Sequence, residues 1–241
     1  MRVLKKTVRT LLDENFIYAR ALHYLGVDFF QYENQTLEQI CAARQIDHQR
    51  LVRSFYRFDT KSRIPFREIK EYPLPLVVAY LKFAHQNYIK ESLPFIVRLL
   101  NHLKTQQPFL KDLIEVFPLF VEDFIKHIYQ EEDELFGYVD LLFRVKKDGY
   151  RNAHRLIVEN RPCLKNMRAH HQKEDEMASL RELIDEVKID SLHIQVIVQE
   201  IQAFDREMLY HAAIENDILF PKAIELEQQI LEKIKELSYL N

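Results

Sequence analysis

The shortage of helix-breaking residues limits the folds open to this chain more than any other feature. Only 3 Gly and 8 Pro occur among its 241 residues, and there is no Trp. Leu, Glu, Lys and Ile recur throughout. Because Gly and Pro are the poorest helix formers, this balance favours helices over strands. The sequence predicts an all-α protein, with one sizeable core or a core and a small appended module.

Short helical patterns fill the N-terminal quarter of the chain. Over residues 7–25 the apolar side chains recur at roughly helical spacing, and Gly26 follows where a helix would end. Thr36 and Asp47 precede two further segments and are predicted N-caps. Residues 1–62 are therefore predicted to form a small helical domain.

A proline-containing segment, 63–75, is predicted to be a linker, because proline lacks a backbone donor and disfavours helix in the residue before it. Its prolines are Pro65, Pro73 and Pro75. The rest of the chain, 76–241, carries four long segments with helical periodicity: 76–104, 109–146, 151–188 and 191–238. The third contains Pro162, so its main helix is predicted to begin near Leu164. Short connections between four long helices predict an antiparallel four-helix bundle.

Composition and charge disfavour several classes of protein. A net charge of −3 and a pI near 6.4 argue against a protein dominated by polyanion binding, although a local basic patch is compatible with them. Cys41 and Cys163 form no CxxC motif, and two scattered thiols indicate a reducing compartment. Charges interrupt the apolar residues of the N-terminus, which predicts neither a signal peptide nor a membrane span. A cytoplasmic location without membrane attachment is expected.

Two segments of the predicted bundle repeat one motif. HIYQEEDELFG, at residues 127–137, aligns with HAAIENDILFP, at 211–221. Both have a His, a Glu four residues later, and then Asp, Leu and Phe at the same offsets. A single HxxxE often arises by chance on a solvated helix, but a second copy in the same register makes chance a poor explanation. The Leu-Phe pair, Leu135 and Phe136 in the first copy, is predicted to anchor the buried face.

The spacing within the motif favours metal binding. Four residues correspond to about 400° of helical rotation, so His and Glu lie on one face, one turn apart. The pairs are His127 with Glu131 and His211 with Glu215. Two imidazoles and two carboxylates directed at one point suit iron or manganese better than a metal that prefers thiolates. The other acidic residues of the first copy are predicted to form a solvated surface: Glu132, Asp133 and Glu134.

A metal site inside four helices also needs donors on the first and third segments. The first segment offers His85 and His102, and the third offers the adjacent His170 and His171. The remaining histidines are predicted to be surface or core residues: His23, His48, His154 and His193.

These motifs resemble those of the repair-of-iron-centres proteins (RIC, the YtfE and ScdA type), in which a hemerythrin-like di-iron bundle follows a small N-terminal domain. The resemblance covers nearly the whole chain. HAAIENDILFP matches the last-helix motif of that family, and HIYQEEDELFG matches the second-helix motif except that Gly137 replaces proline. The family pattern places a Met four residues before the third-helix ligand, so Met167 selects His171 over His170. His85 lies ahead of a Leu-Pro pair, as in the family.

The N-terminal segment resembles the small domain of that family less completely. GVDFFQYENQTLEQICAARQID, at residues 26–47, is similar to its GIDFCCGG hallmark followed by a TLEEAC-like helix. Phe30 and Gln31 stand where the family has a cysteine pair. Cys41 is predicted to be a packed helix residue. The module is therefore expected to be structural or partner-binding.

The resemblance implies a particular metal centre. His102 precedes a Pro-containing turn, as the second ligand of the first helix would, although its offset is shifted. Two non-haem irons, bridged by oxo and carboxylate groups, are expected to be held by His85, His102, His127, Glu131, His171, His211 and Glu215. An unfilled position on such a centre would admit nitric oxide, oxygen or peroxide.

The resemblance also implies a cellular role, the repair of iron-sulfur clusters damaged by nitric oxide or oxidative stress. Iron donation and removal of nitric oxide both remain open as the activity. Damaged iron-sulfur proteins would be partners, and a homodimer is compatible with the sequence. Whether the protein is an enzyme is left open; enzymatic activity would be that of a di-iron oxidoreductase acting on nitric oxide or peroxide.

Two other hypotheses remain. LEQICAARQIDHQRLVRSFYRF has a helix-turn-helix pattern, and residues 36–70 carry eight Arg or Lys against four Asp or Glu. A di-iron sensor joined to a DNA-binding or partner-binding module, regulating the response to nitric oxide, is therefore the alternative function. The third hypothesis is a metal-free helical interaction protein whose histidines are packing residues.

Overall fold

The structure, a computed structural model, describes residues 3–59, 64–148, 157, 164–173 and 175–239. Throughout these residues the chain is helical and contains no β-strand, and an isolated antiparallel bridge joins Thr7 and Thr36. The predicted all-α class is confirmed. Within the same part of the chain, none of the helices has both the length and the apolar character that crossing a bilayer requires.

The chain divides into two compact units, each drawn from separated parts of the sequence. The first unit comprises Met1–Arg63, Ser92–Phe117 and Ser179–Asp205. The second comprises Ile64–Glu91, Pro118–Ala178 and Arg206–Asn241. The predicted domains, 1–62 and 76–241 with a linker at 63–75, are each continuous in sequence, unlike these units. They stay a prediction.

Four short helices open the first unit: α1 (Val8–Glu14), α2 (Tyr18–Tyr24), α3 (Leu37–Arg44) and α4 (His48–Asp59). The pattern over residues 7–25 predicts one helix, but the chain breaks after α1. There the backbone of Asn15 is extended, and its Oδ1 accepts a hydrogen bond from the Ile17 N–H at 3.2 Å. This local bond competes with the helical hydrogen bonds, which explains the break.

The predicted helix-terminal residues have the expected roles. Thr36 forms a capping box: its Oγ1 accepts from the Gln39 N–H at 3.3 Å, and its own N–H donates to Gln39 Oε1 at 2.9 Å. Asp47 Oδ2 accepts from the Arg50 N–H at 3.0 Å at the start of α4. Gly26 has a φ of 74°, the left-handed conformation that follows α2. A short turn joins α3 to α4, as in a helix-turn-helix. DNA binding stays a prediction.

Nine further α-helices follow in the described part of the chain. They are α5 (Phe66–Glu71), α6 (Leu74–Asn87), α7 (Leu93–Asn101), α8 (Pro108–Glu131), α9 (Gly137–Asp148), α10 (Leu164–His171), α11 (Ala178–Asp185), α12 (Leu192–Ile214) and α13 (Phe220–Tyr239). The predicted segment 76–104 corresponds to α6 and α7, 109–146 to α8 and α9, and 191–238 to α12 and α13. The helix predicted near Leu164 begins there. Pro162, Cys163 and His154 lie outside the described residues.

A π-helical turn joins the two helices of each of these three segments. The turns are Tyr88–Ser92, Glu132–Phe136 and Glu215–Leu219. A π-helical turn is wider than an α-helical turn, so it rotates the side chains that follow it relative to an uninterrupted α-helix. Such turns are rare and frequently lie at functional sites. Their positions therefore direct attention to the residues beside them.

The proline-containing segment that the sequence predicts as a linker is mostly helical, because it holds α5 and the start of α6. Pro65 and Pro73 are the N-cap residues of these two helices, and Pro75 lies in the first turn of α6. Proline is compatible with these positions, since no intrahelical hydrogen bond needs the N–H that it lacks.

An apolar cluster fills the second unit and includes both copies of the Leu-Phe pair. Leu135, Phe136, Leu219 and Phe220 are all fully buried. Their predicted role as anchors of the buried face is confirmed. Helix α13 contacts α9 and α10 in this unit. The repeated motif therefore places its apolar residues in the same core.

A buried ion pair connects α2 and α12 within the first unit. Glu200 has no exposed surface, and its Oε2 accepts a hydrogen bond from Arg20 Nε at 2.9 Å. Burial raises the pKa of Glu200, and the positive charge of Arg20 opposes that rise. Arg20 therefore stabilises the ionised form of the buried Glu200 side chain.

Replacing Arg20 with alanine should lower the free energy of unfolding by roughly 3–5 kcal/mol, because Glu200 would remain buried without its cation. Adding Glu200→Gln should recover part of that loss. Arg98→Ala is the matched control: Arg98 pairs with Asp28 at 3.0 Å near the surface, so it should cost no more than about 1 kcal/mol. Urea denaturation gives the free energy of unfolding of wild type and the three variants. Equal losses for Arg20→Ala and Arg98→Ala would contradict the assignment of Arg20 and Glu200 as a buried ion pair.

Candidate metal centre

Four donor side chains lie together in the second unit: His85, Glu131, His211 and Glu215. One ligand atom from each lies within 4.8 Å of the others. All four residues are buried, with exposures between 2% and 6%. The structure thus brings together four of the predicted ligands, in a group that could hold a metal ion. This group is called the four-donor cluster below.

Local structure places these donors beside the π-helical turns. His85 lies in the last turn of α6, shortly before the turn Tyr88–Ser92. Glu131 is the last residue of α8, immediately before the turn Glu132–Phe136. His211 lies in the last turn of α12, and Glu215 opens the next π-helical turn. Every π-helical turn in the described residues therefore adjoins the four-donor cluster.

The two imidazoles face each other through their Nε2 atoms. His85 Nε2 and His211 Nε2 are 3.0 Å apart. Glu131 Oε2 lies 3.4 Å from His85 Nε2, and Glu215 Oε1 lies 2.8 Å from His211 Nε2. Two nitrogen donors that bind one metal ion at about 2.1 Å and at right angles lie about 3.0 Å apart. The spacing of the two imidazoles therefore fits a shared metal ion.

The carboxylates retain oxygen atoms that could bind a cation. Glu131 Oε1 is buried and has no hydrogen-bond partner among the described residues, and the close contact between the buried Glu215 Oε1 and His211 Nε2 lacks the geometry of a hydrogen bond. A buried polar atom without a partner is costly, so a site that contains two of them is incomplete. Imidazole and carboxylate without thiolate suit iron, manganese or zinc. The donor types and the unsatisfied oxygens both fit a transition metal.

Glu132 is part of this site, which corrects its prediction as a solvated surface residue. Glu132 Oε1 lies 2.9 Å from His85 Nδ1, and the side chain is partly buried. If Nδ1–H donates to this carboxylate, Nε2 is left to face the four-donor cluster. Metal-bound histidines almost always have such a partner on the other ring nitrogen. The sequence prediction was wrong because an uninterrupted α-helix does not turn both Glu131 and Glu132 inward; Asp133 and Glu134 are exposed, as predicted.

The repeated phenylalanines pack against histidine rings. Phe136 stacks on His85, with ring centroids 5.6 Å apart and an interplanar angle of 12°. In the second copy, Phe220 lies against His171 with centroids 5.4 Å apart. Each copy of the motif therefore supplies a carboxylate to the four-donor cluster and an aromatic ring that positions a histidine from another segment.

Burial sets the protonation of the metal-free centre. It lowers the pKa of His211 to about 3, with a further contribution from the charge of His85. Burial alone would also lower the pKa of His85, but hydrogen bonds with Glu131 and Glu132 outweigh it, and the pKa is raised. A protonated His85 can therefore donate from Nε2 to a neutral His211. A metal ion would displace that proton and bind both nitrogens.

The pKa values of both carboxyl groups are raised. Burial, and then the charge of Glu215, raises the pKa of Glu131 to about 7. Burial also raises the pKa of Glu215; the charges of His85 and His127 oppose the rise, and that of Glu176 adds to it. The metal-free site therefore takes up protons in place of a cation.

His127 and His171, two further predicted ligands, lie together beside an acidic residue. Their ring centroids are 5.5 Å apart, and His127 Nδ1 lies 3.4 Å from Glu176 Oε1. Both histidines are partly exposed. They are not members of the four-donor cluster, and their role as ligands stays a prediction.

His102 has different surroundings, in the first unit. It is exposed, its Nδ1 lies 2.8 Å from the Arg98 carbonyl oxygen, and its ring lies 5.9 Å from that of Phe30. It borders a cavity of about 480 Å³ together with His193, which is buried and stacks on Phe30. A ligand role for His102 stays a prediction, and none of these contacts supports it.

Neither a protein-family model nor a curated protein matches this chain. The residues and their geometry therefore carry the functional argument.

The metal-free protein should lose stability as the pH rises from about 4.5 to about 7, because folding raises the pKa of Glu131 and so favours its protonated form. Glu131→Gln cannot ionise and should lack this contribution. From pH 5 to pH 7.5, wild type should lose roughly 2 kcal/mol more than the variant in urea denaturation after chelator treatment. Glu134→Gln, at an exposed position, is the control and should follow wild type. Identical pH profiles for wild type and Glu131→Gln would show that Glu131 is not buried in this way.

Proposed function

We propose that this chain is a non-haem di-iron protein of the hemerythrin-like type, with a four-helix arrangement around the metals. The observation that carries the proposal is that Glu131, His211 and Glu215 of the repeated motif converge with His85 on a buried point. Iron at this point would supply a site for nitric oxide, oxygen or peroxide and the capacity to transfer electrons to it.

The residues of the chain have separate roles in this proposal. His85 and His211 would bind iron through Nε2, and Glu132 orients the His85 ring by accepting from Nδ1. Glu131 and Glu215 supply negative charge, which offsets the charge of the cations in a buried site. Phe136 covers the His85 ring and keeps water from that side. The protein therefore provides a preorganised, largely dry donor set.

The cellular role that we propose is the repair of iron-sulfur clusters damaged by nitric oxide or oxidative stress. Two features support it: the repeated HxxxE-LF motif, which resembles that of the repair-of-iron-centres proteins, and a donor set suited to iron. Iron donation and removal of nitric oxide both use the same residues. The protein's partners would then be damaged iron-sulfur proteins.

Purified wild type, reconstituted anaerobically with ferrous iron, should bind about two irons per chain, and Glu131→Ala combined with Glu215→Ala should bind almost none, because both inward carboxylates are lost. The matched control is Asp133→Ala with Asp217→Ala. These two exposed residues follow Glu131 and Glu215 by two positions in the two copies of the motif. Elemental analysis gives the iron content, and circular dichroism checks the fold. Wild type without metal after reconstitution would overturn the proposal.

The repair role predicts a second result. Iron-loaded wild type should restore activity to an iron-sulfur enzyme inactivated by nitric oxide, and the Glu131→Ala, Glu215→Ala protein should not. The Asp133→Ala, Asp217→Ala control should match wild type. If iron-loaded wild type gives no more recovery than an equal amount of free ferrous iron, the repair role is wrong even though the metal site stands.

A further inference from the structure

Outside the four-donor cluster, His127 has two neighbours with metal-binding groups, His171 and Glu176. His127 lies on α8, His171 ends α10, and Glu176 lies in the turn before α11. His127 Nδ1 is 3.4 Å from Glu176 Oε1, and the rings of His127 and His171 are 5.5 Å apart. Two imidazoles and a carboxylate from three segments form a donor set of the same chemical type as the first.

This group adjoins the four-donor cluster through the repeated motif. His127 precedes Glu131 by four residues on α8, so the two lie on one face, one turn apart. His171 packs against Phe220, the residue that follows the turn Glu215–Leu219. The two groups of donors are therefore neighbours in the second unit.

We propose that Glu176 is the carboxylate ligand of a second metal position, which it forms with His127 and His171. The inference rests on the proposed function, since it assigns the second iron of the same centre. His102 is not needed as a ligand in this arrangement. Glu176 takes its place with a carboxylate from the turn before α11.

Charge balance favours a carboxylate at this position. Two divalent ions bring four positive charges into a centre whose carboxylates are Glu131, Glu215 and, behind the His85 ring, Glu132. A further carboxylate reduces the excess charge, whereas a neutral imidazole would leave it unchanged. The side chains of His127 and Glu176 are only 30% and 25% exposed. Uncompensated charge is costly in such a partly buried site, and that difference favours Glu176 over a histidine.

The competing role for Glu176 is to orient His127 through Nδ1, as Glu132 orients His85. Glu176→Gln separates the two roles. Its amide oxygen can still accept a hydrogen bond from Nδ1–H, but it has no negative charge and is a poor metal ligand. Loss of one metal in this variant indicates a ligand, and retention of both indicates a positioning residue and overturns the proposal.

The experiment counts iron in wild type, Glu176→Gln and the control Glu182→Gln after anaerobic reconstitution with ferrous iron and removal of unbound metal. Glu182 is exposed on α11, a short distance along the chain. Wild type and Glu182→Gln should hold about two irons per chain, and Glu176→Gln about one. Mössbauer spectra should show spin coupling between two irons in wild type and its loss in Glu176→Gln.

The remaining outcomes separate this inference from the proposed function. If wild type and Glu176→Gln both hold one iron, the second position does not exist, while metal binding by the four-donor cluster stands. If wild type holds none, the proposed function fails and the inference fails with it. Thermal unfolding of each variant establishes that a lost iron does not reflect a lost fold.

Discussion

The burial of two neighbouring carboxylates is the constraint on which the second unit depends. Glu131 and Glu215 are 5% and 3% exposed, and their ligand oxygens lie within 4.8 Å of each other. Two carboxylates at this distance repel each other and have also lost their hydration, at a cost of several kcal/mol per ion. Protons relieve part of that cost in the metal-free protein. A cation between them relieves more, because it attracts both carboxylates and binds the lone pairs of His85 and His211.

The π-helical turns make this arrangement compatible with a helical chain. In an uninterrupted α-helix, the side chains that face a core recur every three or four residues. The turn Glu132–Phe136 departs from that spacing, so Glu131 can face the four-donor cluster, Glu132 can reach His85, and Phe136 can cover the His85 ring. The turn Glu215–Leu219 opens with the matching carboxylate, and Phe220 after it covers His171. A local distortion of the backbone thus determines the composition of the site.

Sequence patterns predicted the parts of the site that depend on local spacing. The repeated HxxxE motif identified Glu131, His211 and Glu215, and its Leu-Phe pairs lie in the core. Comparison with a four-helix metal site added His85, which lies in the cluster. The all-α class followed from the scarcity of Gly and Pro, and the predicted caps at Thr36 and Asp47 are present.

The other features depend on contacts that periodicity does not encode. Glu132 looked like a surface residue, because nothing in its spacing shows that a π-helical turn begins there. Glu176 lies in a turn without periodic pattern, and only the tertiary fold brings it to His127. The break after α1 arises from one side-chain hydrogen bond of Asn15, against the apolar pattern around it. Each of these features is a polar contact that apolar periodicity does not record.

The most direct test of the central claim is anomalous diffraction at the iron absorption edge, from crystals of iron-loaded protein. The account predicts an iron peak at about 2.0–2.2 Å from Nε2 of His85 and His211, with an oxygen of Glu131 and of Glu215 at similar distances. Iron bound only at other residues, with no peak among these four side chains, would contradict it.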